Sequence, residues 1–293
     1  MGRRSSKWSE RKIAERTSRG YGSGELADYK GWFTIRDFSS RGITTRFASL
    51  ELQRTMLFLS NIELNAFLAS AREDGFFDYW EQFRLDRAET QEIAKGLGIK
   101  HPVYFGSSRP VIMTLDGVAS FVRDKKLVVK AIDCKPRFRL DDPRTAEKLA
   151  IHQEYATRRG WQYERFTEAS VSHFAIQTLK WMRAAFQWED DEDQVIGGFD
   201  VWAMRLYAQM KRDEGTPRWK TQVRQYCYDF DAAHGVQTGC GLVCLRLLLL
   251  QKLVLMKSLD ISHLEMLRSP LSKLRLRDLA YYGATVSSWK AFA

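Results

Sequence analysis

Two aspartates and a lysine carry the most pointed chemistry in this chain. Val111 to Val122 and Leu127 to Lys135 are rich in β-branched residues, and the polar run Arg123-Asp124-Lys125-Lys126 separates them, which reads as a hairpin. If Val122 faces Leu127 across that loop, antiparallel register sets Asp116 directly opposite Asp133. Alternation along the strand points Asp133 and Lys135 the same way. Opposed carboxylates, with Cβ atoms about 5 Å apart, repel unless a cation lies between them. A divalent metal is the simplest such cation. Lys135 is then placed to orient or deprotonate an attacking water, or to stabilise charge growing on a phosphate. A one-residue slip in the loop undoes the alignment, and the plain alternative is a surface ion pair between Lys135 and two exposed acids.

Glu63 is a third carboxylate with two readings. Ser60-Asn61-Ile62-Glu63 has the form of a capping box, in which both side chains satisfy free backbone donors at a helix start. The residues by themselves favour the cap, and both roles can coexist if that helix start faces the hairpin. Other catalytic signatures are missing from the sequence. It contains no Gly-Lys pair, hence no Walker phosphate loop, and no Gly-x-Ser-x-Gly elbow. The five histidines lack metal-ligand spacing, and Cys240 and Cys244 read as small core residues rather than a zinc site.

The elements around the hairpin alternate in type. Residues 1–31 read as a basic arm with one helical turn near Arg11–Arg16. Short strands and turns follow from Ile35 to Leu52, around Ser39-Ser40-Arg41-Gly42. Then come a helix from Ser60, a strand over Phe77–Leu85 and a helix over Thr90–Leu97 stopped by Gly98. After the hairpin come a helix over Arg144–Arg159 and a strand over Trp161–Phe166. The expectation for residues 32–167 is an α/β domain with a mixed sheet and helices on its faces. From residue 168 to 293 the pattern is mainly helical, over Ala169–Phe186, Phe199–Lys211 and Gly239–Leu250, and its last third would fit a winged-helix-like module. The acidic run Glu189-Asp190-Asp191-Glu192-Asp193 reads as a solvated linker or helix start.

Charge and composition narrow the class. The 293 residues carry 46 Lys and Arg against 36 Asp and Glu, a net +10, and residues 1–50, with 11 basic and 5 acidic side chains, supply +6 of it. Such an excess suits a polyanion, since each cation placed on a phosphate releases counterions. Four unevenly placed cysteines exclude a disulfide framework and point to an intracellular chain. Leu242–Met256 is interrupted by Arg246, Gln251 and Lys252 and is too short to span a membrane.

Six motifs in order make residues 30–168 resemble a known family, the TnsA endonucleases of heteromeric Tn-seven-like transposons. They are Leu59-Ser60-Asn61-Ile62-Glu63, Glu81-Gln82-Phe83-Arg84-Leu85, Gly98-Ile99-Lys100-His101-Pro102, Met113-Thr114-Leu115-Asp116, Ala131-Ile132-Asp133-Cys134-Lys135-Pro136 and Arg144-Thr145-Ala146-Glu147-Lys148-Leu149. The resemblance implies a restriction-endonuclease-like domain that cuts the non-transferred 5′ strand of double-stranded DNA at transposon ends in the bacterial cytoplasm, at the nucleoid. It implies a separate TnsB-type transposase, a TnsC-type AAA+ ATPase docked on the C-terminal region, and Mg²⁺, with Mn²⁺ as a substitute. By motif position Glu63, Asp116 and Asp133 would hold the metal and Lys135 would serve the water, which moves Glu63 from cap to ligand. Two positions depart from the pattern. Family members often carry Gln where this chain has Asp133, and Arg84 stands in place of a usual Pro. Two other functions compete: a free-standing restriction or repair nuclease, and a non-catalytic adaptor tethering DNA to an ATPase.

Overall fold

The computed structural model describes residues 8–34, 37, 44–49, 52–183, 199–257 and 261–279. The turn expected at Ser39–Gly42 and the acidic run Glu189–Asp193 lie outside the described residues. Contacts divide the chain into two compact units, Met1–Ser170 and Val171–Ala293.

Within the first unit, the segment read as a basic arm folds onto the body. Helix α1 (Glu10–Ser18) spans nine residues rather than one turn, and the Ser9 side chain accepts the Lys12 N–H at its start. Arg16 is buried beneath it and donates to Asp37 at 2.9 Å and to the Trp32 carbonyl. Trp8 stacks on both Trp32 and Tyr104, with centroids 5.8 and 5.9 Å away. A small antiparallel hairpin follows, β1 (Thr45–Ser49) and β2 (Arg54–Phe58).

Helix α2 (Asn61–Arg72) starts where the sequence places it, after the cap Ser60. Strand β3 (Phe76–Arg84) leads to helix α3 (Arg87–Gly96). That helix begins earlier than the apolar pattern suggests because the Asp86 carboxylate accepts the Glu89 N–H at 2.8 Å, and Gly98 leaves it at φ 67°. Strands β4 (Thr114–Arg123) and β5 (Lys126–Cys134) form the hairpin, with Val122 opposite Leu127 as anticipated. The loop is tighter than expected: Arg123 already pairs with Lys126, and only Asp124 and Lys125 turn the chain, at φ 50° and 61°. A two-residue turn with both φ positive matches the twist of the strands it joins. Helix α4 (Pro143–Arg158) is capped by Asp142, and strand β6 (Gln162–Phe166) then lies parallel to β5.

The order β3-β4-β5-β6, antiparallel except for the last pair, is a mixed sheet. Leu115, Val118 and Ala131 of the sheet bury with Ile93 of α3 and with Ile151 and Tyr155 of α4. Residues one step along the strands face α2, where Phe67 meets Phe58 and Tyr79 at 5.4 and 5.2 Å. The fold is the α/β class with helices on both sheet faces that the sequence indicates.

The second unit is mainly helical, as read: α5 (His173–Arg183), α6 (Phe199–Asp213), α7 (Val223–His234), α8 (Cys240–Leu250) and α9 (His263–Arg268), with β7 (Val254–Met256) paired antiparallel to β8 (Leu274–Leu276). Helix α7 goes unread in the sequence, although Val223, Tyr226, Cys227 and Phe230 bury one face at helical spacing. Its Asp231 accepts the Gly239 and Gly241 N–H groups at 2.7 and 2.6 Å, capping α8 from a neighbouring helix. No helix among the described residues is long and apolar enough to cross a membrane.

Candidate active site

The hairpin end carries the first pair of functional groups. The last paired residues there are Gly117 and Ile132, so Asp116 stands just past the ladder. Asp116 Oδ2 accepts the Cys134 N–H at 2.7 Å and the Lys135 ammonium at 2.6 Å. Lys135 also donates to the Cys134 carbonyl at 3.0 Å, and its own N–H is held by the Phe166 carbonyl of β6 at 3.0 Å. Burial pulls the Lys135 ammonium down, but Asp116 and Asp133 outweigh it and hold it above the ordinary lysine value.

Glu63 arrives from α2 and serves as a cap as well. Its Oε1 accepts the Ser60 hydroxyl at 2.9 Å, and its Oε2 accepts the Leu59 N–H at 2.9 Å. Ser60 Oγ in turn accepts the Glu63 N–H at 3.2 Å, the reciprocal logic of a capping box. Burial, and then the charge of Asp116, pushes Glu63 up to about 7. The residues that read as cap or ligand therefore have both features in one carboxylate: a helix start, and a nearby acid that opposes its ionisation.

Sequence reasoning missed Gln82. Its amide donates to Glu63 Oε2 at 3.0 Å, and it is buried inside β3 at φ 50°, a left-handed backbone unusual for glutamine. Trp32 N–H binds the Gln82 carbonyl at 3.2 Å and helps hold that backbone. The strand pattern does not distinguish Gln82 from a solvent-facing residue, and the one signal at this position is that it lies in the motif Glu81-Gln82-Phe83-Arg84-Leu85. A second missed pair lies beside it. Glu81 is buried against Arg54, which approaches both its carboxylate oxygens at 2.8 and 2.7 Å and so neutralises one acid of this strand.

The expected pairing of Asp116 with Asp133 is not formed: the β4–β5 ladder stops at Gly117 and Ile132, Asp133 pairs with Arg165 of β6, and its carboxylate is engaged elsewhere. It accepts His152 Nδ1–H at 2.9 and 2.8 Å and the Tyr163 hydroxyl at 2.8 Å, from α4 and β6. Burial raises Asp133, yet His152, Lys135 and Tyr163 outweigh it and hold the acid below its usual range. The structure thus brings Glu63, Asp116 and Lys135 into mutual electrostatic reach and ties Asp133 to its own network. Among the described residues, no three His, Cys, Asp or Glu side chains stand together as a metal-holding group.

The donors still suit magnesium, which takes one or two carboxylates and fills its octahedron with water. Two observations fit it. Glu63 resists ionisation first because it is buried and then because Asp116 is near, and a cation would offset the second of these penalties. In addition, the Tyr79 hydroxyl is fully buried with no hydrogen-bond partner, in the field of Cys134, Glu63 and Asp116, where an ion's water could satisfy it.

Comparison with known proteins identifies similar chains. A family model described as TnsA-like endonuclease N terminal matches residues 75–168, which include Asp116, Asp133 and Lys135 but not Glu63. The transposon Tn7 transposition protein TnsA of Escherichia coli is 32% identical over 182 residues, covering 62% of this chain and 66% of the relative's length.

Proposed function

Because the chain belongs to the TnsA endonuclease family, we propose that it is a Mg²⁺-dependent DNA endonuclease of a transposition complex. It cuts the non-transferred 5′ strand at transposon ends, beside a separate TnsB-type transposase. A TnsC-type AAA+ ATPase docks on the second unit, and the complex works on the nucleoid of the bacterial cytoplasm. The single observation that carries the catalytic part is the Asp116–Lys135 pair at 2.6 Å, within the field of a buried Glu63.

Glu63 and Asp116 are the carboxylates for the metal. A magnesium ion held by these two carboxylates would polarise a scissile phosphate and lower the pKa of a water, and manganese would serve as a substitute. Lys135 stays protonated at neutral pH, because the acids around it hold its proton. It therefore stabilises the charge that grows on the phosphate and does not act as the base. Asp133 is expected to act at one remove: held by His152 and Tyr163, it adds negative charge beside Lys135 and keeps that ammonium charged. Gln82 fixes the rotamer of Glu63.

The test is strand-specific cleavage at a transposon end in a reconstituted reaction. Asp116→Ala should lose cleavage of the 5′ strand by about 10²-fold or more while its circular dichroism matches the parent. Cutting at the parent rate would refute the assignment.

A further inference from the structure

The chain immediately after Lys135 is a rigid turn that presents an aromatic ring to solvent. Pro136 fixes the entry, and residues 137–139 form a single 3-10 turn closed by Arg139 N–H on the Pro136 carbonyl at 2.8 Å and Leu140 N–H on the Arg137 carbonyl at 3.1 Å. Arg137 N–H is gripped by both Glu168 carboxylate oxygens at 3.2 and 3.1 Å. At the tip, Phe138 is 75% exposed. The guanidinium of Arg139 lies 5.7 Å from its ring, and neither Arg137 nor Arg139 joins an ion pair among the described residues. One turn into α4, Lys148 is exposed and also lacks an ion-pair partner among those residues. Three of the nearby acids are otherwise engaged: Glu168 holds the turn, Asp142 caps α4 and Glu147 pairs with Arg144; Asp141 is exposed beside them.

An exposed aromatic on a mobile loop needs no explanation. One that is locked on a tied turn, between two arginines without ion pairs and three residues from the candidate phosphate-stabilising lysine, does. We propose that Phe138 is a wedge that enters a base step of duplex DNA beside the cut, with Arg137 and Arg139 on the flanking phosphates and Lys148 on the backbone further along. Apolar wedges of this kind part neighbouring bases and kink the duplex, which would bring a scissile phosphate down to Asp116 and Lys135. Charge complementarity and continuity with the active site select DNA as the occupant over a protein surface. The inference rests on the nuclease reading.

The experiment uses the full-length chain without Mg²⁺ and short duplexes of transposon-end sequence, in which single adenines are replaced in turn by 2-aminopurine. Anisotropy measures binding, and fluorescence measures unstacking of the probe base. The parent should bind and brighten the probe at one step next to the cut. Phe138→Ala should lose that brightening and bind about tenfold more weakly, whereas Phe138→Trp should keep both. Replacing Arg137 and Arg139 with Ala should lower the slope of log affinity against log salt by about 2. Binding without brightening, or brightening that survives Phe138→Ala, overturns the wedge and leaves the nuclease intact. Failure of the parent to bind duplex DNA at low salt, with strand cleavage retained in the reconstituted reaction, overturns the wedge alone; loss of that cleavage as well overturns both.

Discussion

At the scale of single residues, Glu63 shows how a site stores free energy. Its folded pKa of about 7 lies above the ordinary 4.5. Between those values the folded protein holds a proton that the unfolded chain has released. Metal-free stability therefore falls as pH rises through that window and stays lower above it. Glu63→Gln, whose amide imitates the protonated acid, should be more stable than the parent at about pH 8 in a chelator, by on the order of 2–3 kcal/mol. The advantage should vanish near pH 4.5. Denaturant titrations at the two pH values check this, and Mg²⁺ should raise the midpoint of the parent but not of the variant. Equal stability of the two proteins at both pH values would show that Glu63 is ionised without cost. Gln82 belongs to the same account: its left-handed backbone is strain held in place beside a functional carboxylate.

At the scale of elements, the site depends on β3 and β4 approaching closely next to Asp116. A Cβ added to Gly117 would lie 2.0 Å from Tyr79 Oη and 2.4 Å from its ring carbon, and both of those atoms belong to a fully buried side chain. Tyr79 cannot retreat, because Phe58 and Phe67 pack against it at 6.4 and 5.2 Å. Gly117→Ala should therefore cost about 3 kcal/mol through overpacking, and lower the melting temperature by roughly 6 °C or more. Cleavage should fall with it, since the strand that carries Asp116 must shift. An unchanged melting curve would mean that the tyrosine has somewhere to go. Arg54 and Glu81 tie the β1–β2 hairpin to β3 through a buried ion pair, so the small hairpin is part of the framework of the site and not an ornament on it.

At the scale of the whole molecule, the +10 charge and the two units set the behaviour in solution. Association with DNA should weaken steeply with salt, as for any binder that works through phosphates. All four cysteines are buried and free. Burial pushes the Cys134 and Cys227 thiols well up. In the second unit, the Cys240–Cys244 contact raises Cys244 and lowers Cys240. Burial controls access in every case, so the native protein should react slowly with a thiol reagent, and all four should titrate together on unfolding. Fast labelling of any one in native buffer would show that its unit opens locally.

The sequence by itself determined what local periodicity and pairing rules control. The alternation of β4 and β5 and the polar turn between them determined the register from Val122–Leu127 down to Gly117–Ile132, although the ladder stops before the Asp116–Asp133 pair that the same register leads to, and Ser60 determined where α2 begins. Lys135 beside an acid was legible for the same reason. Only the tertiary structure decided which acids face which partners. Asp133 meets His152 and Tyr163 because α4 and β6 return to β5 from elsewhere in the chain, and Glu63 meets Gln82 because α2 packs against a strand bent at that glutamine. Helix α7 shows the converse: its stripe was present in the sequence, yet its cap role toward α8 exists only once the two helices pack. Spacing along a chain specifies the direction of a side chain within its own element; the group it meets there is set by elements distant in sequence, whose packing is a property of the whole core.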